Sequence, residues 1–83
     1  MNKVLIEIHI PAIHEQLDIF APTDAPIKEL IPIMADGVAE LSNDKYIPSG
    51  CEQLCMKEPV GVLNPVLCLK DYGAKDGMKL YLI

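Results

Sequence analysis

LCLKDYGAKDGMKLYLI, residues 67–83, decides the fold. Two turn signals precede a strand. Lys70-Asp71-Tyr72-Gly73 reads as a tight turn in which Asp71 accepts a backbone hydrogen bond, and Asp76-Gly77 as a second, with Gly77 supplying a positive φ. Met78 to Ile83 then alternates, Leu80 and Leu82 on one face, Tyr81 and Ile83 on the other. Terminal residues fray unless something ties them down. A strand this apolar therefore needs neighbours in a sheet, and the rest of the chain must provide them.

Val4, Ile6, Ile8 and Ile10 alternate with Leu5, Glu7 and His9, the period of a half-buried strand. After a connector at residues 11–15, Leu17, Ile19 and Ala21 alternate with Asp18 and Phe20, so a hairpin is expected, closed by Pro22. Thr23-Asp24-Ala25-Pro26 is a helix-start signal in which Thr23 or Asp24 would cap. Apolar residues at 27, 30, 31, 34, 38 and 41 make one helical stripe. Pro32 and Gly37 oppose it, at about 3 and 1 kcal/mol. One continuous helix is still expected, because Val38 and Leu41 keep the phase. Residues 42–50 read as a loop, Cys51 to Lys57 as a third strand, Glu58 to Gly61 as a turn, and Val62-Leu63 as a short edge strand. The pattern is an α+β domain spanning residues 1–83, with a mixed four- to five-stranded sheet and one main helix packed on one face.

Composition excludes several classes of function. The chain has 83 residues, a net charge of −5, and seven lysines with no arginine, none of them clustered as phosphate binding requires. No nucleic acid is expected as a partner. No apolar run approaches the ~18 residues of a membrane span, so no direct membrane insertion is expected either. The apolar run from Val4 to Ile10 carries Glu7 and His9 and lacks a cleavage site, unlike a signal peptide; a cytoplasmic location is expected. Three cysteines, at 51, 55 and 68, do not form an even disulfide set and are expected to be reduced and mostly buried.

Ile47-Pro48 followed by Leu54-Cys55-Met56, then Leu69-Lys70-Asp71-Tyr72 with its spacing to Leu80-x-Leu82, resembles the ubiquitin-like β-grasp fold over essentially the whole chain. The resemblance implies that the first and last strands lie side by side at the sheet centre. It also implies that Tyr72 anchors a loop by hydrogen-bonding to backbone. A closer likeness is to the bacterial YukD/EsaB-type ubiquitin-like proteins of type VII secretion loci, carried by Pro26-Ile27-Lys28, Leu30-Ile31 and the turn from Leu69 to Gly73. It implies a non-conjugated accessory or adaptor whose partners are proteins, membrane-embedded secretion components among them. The alternatives are a small non-catalytic subunit of a multicomponent oxygenase and a sulfur or protein carrier. Carriers in this family work through a flexible Gly-Gly tail. The sequence ends at Leu82-Ile83, so conjugation is not expected.

No catalytic constellation emerges, and an enzyme is not expected. Cys51-x3-Cys55 with Cys68 and His9 or His14 is the loosest of zinc patterns. Four residues of strand span about 13 Å, too far for two sulfurs on one ion. No metal or cofactor is expected, and His9 and His14 read as solvated. Leu5, Phe20, Cys55, Tyr81 and Ile83 remain. Alternation places them on the helix-free face, and Cys55 and Ile83 match positions of ubiquitin's hydrophobic patch. A partly apolar, partner-binding band with Tyr81 exposed is expected there; a homodimer seam is the other occupant considered.

Overall fold

β1 (Lys3–Ile10) and β2 (Glu15–Pro22) form the antiparallel hairpin that the alternation predicts, with Leu5 opposite Phe20 and Ile8 opposite Leu17. The connection is a 3-10 turn over Pro11–Ile13, closed by His14 in the left-handed region at φ 52°. The computed structural model describes residues 2–56 and 61–83. α1 (Ile27–Leu41) follows, then β3 (Leu54–Met56), β4 (Gly61–Val62), a 3-10 turn over Leu69–Tyr72, and β5 (Met78–Leu82). The sheet order is β2-β1-β5-β3-β4, so the first and last strands are central neighbours, parallel to each other. The turn expected at residues 58–61 lies largely outside the described residues.

The core is aliphatic and lies between α1 and the sheet. Ile6, Ile8 and Ile10 of β1, Leu54 of β3, and Leu80 and Leu82 of β5 pack against Ile27, Leu30, Met34, Ala35 and Val38. Burial of this kind contributes roughly 1.5–3 kcal/mol per large side chain and is the main stabilising term. α1 runs unbroken through Pro32 and Gly37, as its stripe required. Leu41, expected on that stripe, is the helix's last residue and is instead 58% exposed.

The expected cap is not formed. Pro26 occupies the N-cap position and no side chain caps the helix. The amides of Ile27 and Lys28 donate instead to the carbonyls of Leu67 and Pro65, at 2.8 and 2.9 Å. Thr23 turns away, its Oγ1 donating to the carbonyl of Asn2 at 3.3 Å. A long-range loop therefore satisfies donors that sequence-local capping leaves open.

The two turns before β5 behave as read. The Cys68 amide donates to Asp71 Oδ2 at 2.8 Å, and Gly77 takes φ 89°. Asp76 accepts from the Leu5 amide at 2.8 Å while the Gly77 amide donates to the Leu5 carbonyl, binding this turn to the start of β1. Tyr72 fills the role that the resemblance implied, its hydroxyl accepting from the Asn64 amide at 2.8 Å. β3 begins later than expected: Cys51 and Glu52 are loop, because Glu52 folds inward, and Lys57, its expected end, lies outside the described residues. Its carboxylate accepts from the Tyr46 hydroxyl at 2.7 Å and from the Ser49 and Gly50 amides at 2.7 and 3.1 Å.

Candidate functional site on the helix-free sheet face

Register sorts the outward side chains into rows. Phe20 faces Leu5 at one end of the sheet. The next row, about 6.7 Å further along the strands, is charged: Asp18, Glu7 and Lys79. The third crosses all five strands as Gln16, His9, Tyr81, Cys55 and Val62. Ile83 lies beyond it, its amide and carbonyl both paired with Gln53 at 3.0 and 2.8 Å.

All five expected residues are therefore on the helix-free side, but not in one band. The charged row separates Leu5 and Phe20 from Cys55, Tyr81 and Ile83. This division follows from β1, where Glu7 occupies the outward position between Leu5 and His9. Phe20 and Ile83 are 67% and 65% exposed. Leu5, Cys55 and Tyr81 are half-buried, so the expectation of an exposed Tyr81 is corrected. The cause is His9, whose ring stacks on Tyr81 with centroids 5.0 Å apart and planes at 22°. His9 Nε2 lies 2.9 Å from Glu7 Oε2 and is a donor when it carries the proton. His9 is thus part of a Glu7–His9–Tyr81 stack rather than freely solvated; His14 is exposed in its turn.

Three members of the third row, Gln16, His9 and Val62, are not among the five expected residues. Val62, 57% exposed, is opposite Cys55 on β4. Its place was open to a strand-pairing argument, but pairing two short strands across a turn needs a register that sequence does not fix. The thiols also depart from expectation. Cys55 and Cys68 are half-buried and Cys51 is exposed, none fully buried. Among the described residues no group of three or more His, Cys, Asp or Glu side chains could hold a metal ion. Nor is any helix among them long and apolar enough to cross a membrane.

A charged row between an apolar pair and a mixed aromatic row can bind protein by shape and apolar contact, with Glu7, Asp18 and Lys79 setting orientation. The strand order and, among the described residues, the single α-helix define a ubiquitin-like β-grasp fold. The chain is similar throughout to the ubiquitin-like domain of the Mycobacterium tuberculosis type VII secretion system protein EccD1, with TM-score 0.76, 18% identity, and coverage of 100% of this chain and 99% of that one. Over 98% of its length it is similar to 20% of a chain in the MycP5-free ESX-5 inner membrane complex, with TM-score 0.69 and 17% identity. A Caldiarchaeum subterraneum ubiquitin gives TM-score 0.68 at 19% identity, covering 99% of this chain and 92% of that one. No protein-family model and no curated protein matches the sequence.

Proposed function

We propose that this chain is a non-catalytic ubiquitin-like accessory protein of a bacterial type VII secretion system, acting in the cytoplasm by non-covalent docking of a protein partner. The observation that carries the mechanism is the third row, which lays Tyr81, Cys55 and Val62 side by side across the helix-free face with Ile83 beside them. Apolar surface of this kind, with Val62 and Ile83 exposed and Tyr81 and Cys55 half-buried, is a common mark of a protein interface. The pathway is supported by the likeness to a type VII secretion protein's ubiquitin-like domain and to part of an ESX-5 inner membrane complex chain. A membrane-embedded secretion component is the partner this reading favours.

Deletion of the gene in its source organism, with secreted proteins quantified, tests the pathway. Loss of secretion that is restored by the wild-type gene is expected. Unchanged secretion would sink the assignment.

A further inference from the structure

Pro32, the costliest residue of the helix, has no part in the sheet face, yet it borders a groove. Two adjoining depressions of about 260 and 330 Å³ meet at Ile31, Glu52 and Pro65. Together their linings run from Lys28 and Pro32 on α1 to Val62 on β4. Its walls are mostly apolar, and its charged groups differ in availability. Glu52 is engaged by Tyr46, Ser49 and Gly50. Lys28 is exposed and, among the described residues, forms no ion pair.

Two backbone features add to this. Pro32 has no amide hydrogen, so the Lys28 carbonyl lacks the donor that a helix normally gives it. β4 is one of the sheet's two edges and pairs with β3 alone among the described residues. An edge strand presents unpaired backbone groups to an incoming chain. The helix amides, by contrast, offer nothing to an anion, since those of Ile27 and Lys28 are taken by Leu67 and Pro65.

We infer that this groove binds an extended segment of a protein partner carrying an apolar side chain beside a carboxylate. The apolar group sits between Ile31 and Pro65, the carboxylate pairs with the Lys28 ammonium, and main-chain donors meet the Lys28 carbonyl or the β4 edge. Charge chooses the partner: a basic segment meets an unpaired lysine and a carboxylate that already accepts three hydrogen bonds. The site is separate from the helix-free face except at Val62, which borders both.

The test pans a phage-displayed random peptide library on the immobilised full chain, then titrates enriched peptides into the isotope-labelled protein by NMR. Enriched peptides are expected to combine an apolar residue with Asp or Glu and to shift the amides of Ile31, Gln53 and Leu63. Lys28→Glu is expected to weaken them roughly tenfold, the loss of one charge-assisted contact, whereas Lys28→Arg keeps the affinity within about twofold. Lys28 is exposed, so neither variant disturbs the core. Absence of enrichment, enrichment of basic peptides, or an affinity indifferent to Lys28→Glu would overturn the inference. Shifts confined to His9 and Tyr81 would also overturn it, while leaving docking on the sheet face intact.

Discussion

Tyr46→Phe removes one oxygen from the buried side of the loop between α1 and β3, and its effect can be worked out from the contacts. The hydroxyl donates to Glu52 Oε2 at 2.7 Å, and Tyr46 is 9% exposed. A hydrogen bond to a charged group contributes about 2 kcal/mol, so a fall in Tm of roughly 10 °C is expected for a domain of this size. The pH dependence is more specific. Burial, with the Glu52 hydrogen bond and negative charge adding to it, pushes the Tyr46 hydroxyl from 10.0 up to about 12. Unfolded tyrosine ionises first, so this contribution is complete below pH 10 and is lost as pH rises towards about 12. Chemical denaturation of wild type and Tyr46→Phe across pH 7–12 reads the difference directly. A constant gap up to pH 10 that closes above it is expected. A gap below about 0.5 kcal/mol at pH 7, or one unchanged to pH 12, would refute the lock.

Glu52→Gln tests the other partner. Burial raises the carboxyl's pKa, but donors from Tyr46, Ser49 and Gly50 outweigh this and hold it below its ordinary 4.5. Its contribution is therefore present above pH 4.5 and lost as pH falls through the lowered value, so the gap between wild type and variant should close in acid denaturation curves. Tyr72→Phe should cost about 1 kcal/mol and speed hydrogen exchange at the Asn64 amide, which loses its acceptor. Asp76→Ala should cost a similar amount, about 1 kcal/mol, and loosen the Leu5 amide, measured the same way. Pro32→Ala should raise stability by about 1–3 kcal/mol in thermal melts, because the helix continues on both sides of the proline and regains a backbone bond.

The fold was legible where side-chain period and turn chemistry agree. β1 and β2 carry strict alternation, and β5 follows a Gly77 turn whose positive φ the sequence announces. The helix stripe outweighed Pro32 because Ile27, Leu30, Met34 and Val38 all face the core. The features that no local pattern announces depend on residues far apart in the chain. Pro65 and Leu67 replace the expected Thr23 or Asp24 cap, a substitution that no local pattern announces. Tyr46 and Glu52 look like loop polarity until the loop closes on them, and that closure also delays the start of β3 and leaves Cys51 exposed. At the candidate site, alternation puts the five expected residues on the helix-free face. Grouping them required register, which put Glu7 and Asp18 between the two apolar sets and stacked His9 on Tyr81.

Docking through the third row is the central claim, and paired variants test it. Tyr81→Glu gives up the His9 stack, worth about 1 kcal/mol, whereas Val62→Glu alters an exposed side chain and leaves the core untouched. Each is expressed as a tagged full chain in the source organism beside wild type, with folding checked by circular dichroism. The measurement is co-purification of a membrane-embedded secretion component from detergent extracts. Recovery with wild type and loss with both folded variants is the expected result. Equal recovery in all three, or none with wild type, would contradict docking on the helix-free face.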